Sequence, residues 1–307
     1  MFLHRRVFFG LGTLAVLVAP LVGWWGSWWA APVAGPGSVH RFFDAPRALV
    51  WAHQGASLEA PPNTFAAFDL ALTQGADVLE TDLRLTRDGV VVLLHDADVD
   101  GRTDGTGPIV ALSAVEAANL DAGAGFVGLS GEDWTGKGAG IPTLEAFLQR
   151  YAPVSGLRFS LELKVDDSTL SAELCRLIEA FQLQSRVVVP SFSTAALTHF
   201  RATCGGRVAT LLGTTEALEL LALYHAGLGD RWSNPADGLA TFPRLGPIAA
   251  DGPALHAWLQ ERRLPVILMT LNEPEELRQA LALGASGVIT DRPGLAHQII
   301  AESNSAP

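Results

Sequence analysis

The sequence predicts an α/β chain folded as a (β/α)8 barrel of TIM type, with a β-hairpin after the second strand. Three observations predict it. From Ala48 onward, short β-branched runs alternate with helical segments, the pattern of repeated βα units and a parallel sheet. Eight such runs fall within about 260 residues, the size of a TIM-type barrel. The first strand is followed by HQGASLEAPPN, which lacks the glycine-rich phosphate loop of an open doubly wound sheet.

The elements follow in order. The strand runs are ALVWA (48–52), DVLETDLRL (77–85), LRFSLELK (157–164), SRVVVPSF (185–192) and RVATLLG (207–213). A weaker one lies near PIAAD (247–251), then PVILMT (265–270) and GVIT (287–290). Helices are predicted over 64–74, 169–181, 194–203, 215–226, 253–263, 274–283 and 293–301, with Asn63, Ser168 and Ser193 as N-caps of three of them. Thr86-Arg87-Asp88-Gly89 is a turn signal, and VVVLLHD returns from it as a hairpin. Residues 99–142 and 227–246 read as long excursions, with Trp134 and Trp232 as loop anchors.

The front of the chain has a different character. Val7 to Ala34 run 28 residues without a charge, long enough for a membrane-spanning helix. Trp24, Trp25, Trp28 and Trp29 suit an interfacial belt, and Arg5 and Arg6 favour a cytoplasmic N-terminus. The expectation is therefore a signal-anchor over 1–34, a linker over 35–46 and the barrel over 47–307. It implies a single-pass inner-membrane protein with its barrel on the periplasmic, extracytoplasmic side.

Composition excludes several classes. With 21 Lys plus Arg against 32 Asp plus Glu, the formal charge is −11, and no basic run is present to neutralise a nucleic-acid backbone. At 17% charged residues and 49% hydrophobic ones, long disorder is not expected. Cys175 and Cys204 cannot build a disulfide framework; they read as two unrelated buried thiols, with a single bond between them in an oxidising compartment as the alternative.

In such a barrel, chemistry sits at the C-terminal ends of the strands. His53 and Gln54 end the first. Glu80 and Asp82 share one face near the end of the second, and Glu162 and Lys164 share one on the third. The hairpin folds His95 back toward them. Three crowded carboxylates suit one hard divalent cation, Ca²⁺ or Mg²⁺. Two histidines supply an acid and a base near neutrality, and Lys164 adds charge for an anionic substrate. The set suits displacement at phosphorus.

At these residues the chain resembles the glycerophosphodiester phosphodiesterase family. AHQGA, PPNTFAAFDLAL and QGADVLETDLRLTRDGVVVLLHDADVDGRTDGTG stand where that family shows His-Arg-Gly, Pro-Glu-Asn-Thr, Glu-x-Asp, Thr-x-Asp-Gly and His-Asp. LELK (161–164), SF (191–192), MTLN (269–272) and TDRP (290–293) extend the match to about 245 residues. The resemblance implies Glu80, Asp82 and Glu162 as metal ligands, His53 and His95 as the acid/base pair, and Gln54 and Lys164 as substrate-binding. It implies hydrolysis of a glycerophosphodiester to glycerol 3-phosphate and an alcohol, or lysophospholipase D-type cleavage of a lysolipid. Two departures are Gln54 in place of arginine and Pro62 in place of glutamate. The lost guanidinium fork leaves a non-catalytic envelope-binding barrel as the competing class, unless Arg84, Arg102 or Lys164 compensates. The other histidines, Asp96 and Asp291 read as structural, and Asn272 as a helix cap or a site residue.

Overall fold

The computed structural model describes residues 40–245, 248–249 and 252–305. Seven of the eight predicted strands are barrel strands. The barrel strands are β1 (Leu49–Ala52), β2 (Val78–Leu85), β4 (Arg158–Leu163), β5 (Val187–Val189), β6 (Ala209–Thr210), β7 (Leu239–Thr241), β10 (Val266–Leu268) and β11 (Gly287–Thr290). All eight run parallel in the order β6-β5-β4-β2-β1-β11-β10-β7. A parallel bridge between Leu211 and Gly238 joins the two ends of that order. The hairpin strand β3 (Val91–Leu93) pairs antiparallel with β2, Leu83 opposite Leu93.

Helices α1 (Phe65–Thr73), α3 (Leu144–Tyr151), α4 (Ser168–Ala180), α5 (Thr194–Cys204), α6 (Thr214–His225), α7 (Pro253–Glu261), α8 (Pro274–Ala282) and α9 (Pro293–Ser305) follow the eight strands in turn. Their apolar faces, with the strands' outward residues, form two layers of core, one around Phe68, Phe147, Phe159 and Phe200 and one around Leu220, Leu259 and Ile299. Inside the barrel, Trp51, Val78, Val188, Ala209 and Ile267 pack with Phe42. That phenylalanine comes from the segment read as linker, where Arg41–Phe43 form a 3₁₀ turn and Phe42 meets Trp51 edge to face at 5.4 Å.

Several expectations are corrected. The sixth barrel strand is β7, inside the predicted 227–246 excursion. PIAAD instead contributes Ile248–Ala249 (β9), paired with Arg244–Leu245 (β8) in a separate hairpin. A three-residue strand is too short to show a period, and its place is fixed by β10 alongside it. Helix α3, just beyond the first excursion, was not predicted, and the excursion itself holds the short α2 (Ala114–Ala118). Thr64 and Asp167 cap α1 and α4 in place of Asn63 and Ser168, whereas Ser193 caps α5 as expected. Trp134 is a loop anchor, its indole donating to the Glu59 carbonyl at 3.2 Å.

Cys175 on α4 and Cys204 on α5 form a disulfide, not two separate thiols, with Cα atoms 5.7 Å apart. Their separation of 29 residues hid a contact that adjacent barrel helices create. In the chain-entropy account a closure of this length stabilises by about 3–4 kcal/mol.

The single-pass inner-membrane placement is also corrected. Among the described residues no helix is long and apolar enough to cross a membrane. The longest, α4 and α9, have 13 residues, about 20 Å, against the roughly 30 Å of a hydrocarbon core. The segment from Val7 to Ala34 lies outside the described residues.

Candidate active site

Strand register assembles the acidic cluster. In β2, Glu80 and Asp82 point to the barrel interior, and β4 lies beside it with Asp82 opposite Glu162 and Glu80 opposite Ser160. One ligand atom from each carboxylate lies within 4.8 Å of the others. Glu80 and Asp82 are buried and Glu162 nearly so. Burial pushes the Glu80 carboxyl up to about 8, with Asp82 adding to the rise and His53 opposing it. Glu162 is raised as well, first by burial and then by Asp82, against Lys164. Three carboxylates this close repel one another, and a cation placed among them relieves that repulsion.

Each carboxylate has one oxygen committed to a donor. Glu80 Oε2 accepts the Gln54 backbone N–H at 2.9 Å. Asp82 Oδ2 accepts from Gln54 Nε2 at 2.7 Å and from Asn63 Nδ2 at 2.9 Å. Glu162 Oε1 accepts from Lys164 Nζ at 3.0 Å, and the same ammonium lies 3.4 Å from Asp82 Oδ1. The backbone turns sharply at the HQG motif to make this possible. Gly55 has φ +87°, and a Cβ there would sit 2.6 Å from the Ala67 carbonyl carbon.

The two histidines are alike in chemistry and unlike in setting. Nδ1 of His53 lies 2.6 Å from Asp291 Oδ1, and Nδ1 of His95 lies 2.7 Å from Asp96 Oδ1. Each pairing leaves Nε2 as the other ring nitrogen. His53 is well surrounded. Desolvation alone would lower its pKa, but the Asp291 hydrogen bond and the charges of Glu80, Asp291 and Asp82 raise it to about 9. Asp291 is itself held by Ser57 Oγ at 2.7 Å and Asn272 Nδ2 at 2.6 Å. These bonds and the His53 pairing outweigh its burial and keep its carboxyl below the usual range. His95 is half-exposed on the hairpin side, and Arg84 fixes its backbone by donating to its carbonyl at 2.7 and 2.9 Å.

The seven predicted residues thus gather at one mouth. Six of them, His53, Glu80, Asp82, His95, Glu162 and Lys164, line a cavity of about 440 Å³. Gln54 does not line it; its amide is spent on Asp82. Sequence reasoning missed Asn63, Asp291 and Asp96 as partners of site residues. Asn63 sat in the PPNT motif and both acids in motif positions, so the signal was present but was read as capping and loop support. Asn272 holds Asp291, while Glu273 takes the cap of α8. Arg84 serves the His95 backbone, and Arg102 Nε lies 3.5 Å from Asp96.

The opposite wall of the cavity is apolar. It is built from the loops after β5, β6 and β7, with Phe192, Leu211, Leu212 and Phe242, and from α6, with Leu218. Phe192, Leu218 and Phe242 are 55%, 45% and 40% exposed. Lys164 Nζ stands 5.9 Å from the Phe192 ring, where the two walls meet.

Comparisons with known proteins identify the family and the fold. Residues 53–295 match the Glycerophosphoryl diester phosphodiesterase family. The Bacillus subtilis protein YhdW, whose name places it with the glycerophosphodiester phosphodiesterases, is 32% identical over 248 residues, 79% of this chain and 93% of the relative. The crystal structure of a glycerophosphodiester phosphodiesterase from Agrobacterium tumefaciens superposes with a TM-score of 0.65 at 25% identity, covering 82% of this chain and 99% of that one. An Oleispira antarctica phosphodiesterase, solved with the product sn-glycerol-3-phosphate, gives a TM-score of 0.62 at 24% identity, covering 83% and 97%. The non-catalytic envelope-binding barrel is thereby set aside, because loss of one arginine leaves both histidines and all three carboxylates in place. With the family matched over most of its length, the chain belongs to the Glycerophosphoryl diester phosphodiesterase family and is a phosphodiesterase.

Proposed function

We propose that the chain hydrolyses glycerophosphodiesters, the deacylated products of glycerophospholipids, to glycerol 3-phosphate and an alcohol. In this reading one divalent cation, Ca²⁺ or Mg²⁺, is held by Glu80, Asp82 and Glu162. The observation that carries it is the three-carboxylate cluster set between two carboxylate-paired histidines. Its oxygens, within 4.8 Å of one another, match the span across a shell with metal–oxygen distances of about 2.0–2.6 Å. When bound, the ion supplies charge neutralisation for the phosphoryl oxygens. The Oleispira relative's product complex supports glycerol 3-phosphate as the product class.

The chain's own groups do the rest. Asp291 and Asp96 each hold a histidine through Nδ1, so proton transfer runs through Nε2. One imidazole removes a proton from the attacking hydroxyl, water's or the substrate's own, and the other protonates the leaving alcohol. Lys164 meets the phosphate in place of the absent arginine. EDTA is expected to abolish release of glycerol 3-phosphate from glycerophosphocholine, and added Ca²⁺ or Mg²⁺ to restore it. Full turnover in EDTA would sink the metal reading.

A second reading is favoured by the apolar wall. Exposed phenylalanines are costly without a partner, and Phe192 and Phe242 stand at this mouth. A lysophospholipid, cleaved at the same phosphodiester, places its single acyl chain there.

A further inference from the structure

Gln54 occupies the position where a phosphate-gripping side chain was expected, yet it is buried and outside the large cavity. Its surroundings explain what it does. Gln54 and Asn63 both adopt the left-handed backbone region, with φ 55° and 59°. Neither is glycine, so each conformation has a steric cost that the surrounding contacts must hold in place. The Asn63 N–H donates to the Gln54 carbonyl at 3.0 Å, tying the two turns together. The Thr81 hydroxyl donates to Asn63 Oδ1 at 2.7 Å, which fixes the asparagine with Nδ2 toward Asp82. A carboxylate oxygen only accepts, so the Gln54 atom facing Asp82 is likewise Nε2. Both side chains end on the same oxygen, Asp82 Oδ2.

We infer that Gln54, with Asn63, is a positioning residue that saturates Asp82 Oδ2 and leaves Asp82 to offer a single oxygen, Oδ1, to a divalent cation, favouring Mg²⁺ over Ca²⁺. The inference rests on the metal reading above and deepens it. Two donors fill the two lone pairs of Oδ2 and hold the carboxylate against rotation. Glu80 Oε2 and Glu162 Oε1 each accept one donor, the Gln54 N–H and the Lys164 ammonium, so each of the three acids keeps one oxygen without a hydrogen bond. Ca²⁺ gathers six to eight ligands and uses bidentate carboxylates readily, whereas Mg²⁺ takes six at shorter range and keeps several waters. A site restricted to single oxygens gives up more of the calcium shell than of the magnesium shell.

The test is calorimetric titration of the metal-free full chain with MgCl₂ and with CaCl₂, for the wild type and Gln54→Met, which keeps length and removes the donor. The Mg²⁺ dissociation constant is expected to rise about 10-fold or more and the Ca²⁺ constant by less, since Asp82 is freed to turn both oxygens outward. Equal losses for both ions, or a Mg²⁺ change within about 2-fold, overturn the inference while leaving the metal reading intact. No binding of either ion by the wild type overturns both. Should Gln54→Met fail to fold, the wild type answers through its own side-chain amide, labelled with ¹⁵N. A positioning Gln54 shifts on Mg²⁺ addition and stays still when sn-glycerol 3-phosphate is added to metal-free protein. A shift with the phosphate ester alone overturns the inference.

Discussion

The two walls of the cavity are built by the same fold and are opposites in chemistry. On the side of β1, β2 and β4, the ionisable groups are paired: carboxylates take amides and an ammonium, and histidines take aspartates. On the side of β5, β6 and β7, the loops expose Phe192 and Phe242 and helix α6 exposes Leu218, with only the hydroxyls of Ser191, Thr214 and Thr241 among the apolar lining. The first wall is fixed before any substrate arrives. The second is paid for in exposed apolar surface, which only an apolar guest recovers. Within the polar wall the contrast repeats on a smaller scale, with His53 embedded in a network and His95 half-exposed.

The largest test strikes the polar wall. His53→Ala and His95→Ala are each expected to lower kcat for glycerophosphocholine by about 10²–10⁴-fold, the usual scale for a lost acid or base. Wild-type kinetics in His95→Ala would remove that residue from the chemistry and leave His53 alone. The apolar wall is tested next, by kcat/KM for monoacyl glycerophosphocholines of increasing chain length. About 0.8 kcal/mol per buried methylene corresponds to roughly 4-fold per added carbon while the wall is being filled. Phe192→Ala and Phe242→Ala are expected to flatten that slope. A flat series in the wild type would dismiss the lysolipid and retain the short diester.

The smallest expected effect concerns pH in metal-free protein. His53 is raised from 6.5 to about 9 and Glu80 from 4.5 to about 8, so both hold protons more tightly folded than unfolded. The resulting stability is full below pH 4.5 for Glu80 and below 6.5 for His53. It is lost as pH rises through about 8 and about 9 respectively. The Tm measured in EDTA should therefore fall between pH 5 and 9, and a divalent cation should stabilise most at the alkaline end, where it no longer competes with protons. A Tm in EDTA that rises across this window would contradict the crowding of charge on the polar wall.

Sequence alone determined the barrel, its hairpin, seven of its eight outer helices and the gathering of Glu80, Asp82, Glu162, Lys164, His53 and His95. These are legible because strand alternation and motif order are local, and because residues two apart on a strand must share a face. Tertiary structure alone decided the rest. The short strand Leu239–Thr241 exists only because β10 lies alongside it, and Cys175 meets Cys204 only because α4 and α5 are neighbours. The Gln54 amide reaches Asp82 through a left-handed turn whose direction no residue type announces. Hydrogen bonds between side chains 19, 28 or 238 positions apart, as in Asn63–Asp82, Gln54–Asp82 and His53–Asp291, depend on distances that only closure of the sheet sets.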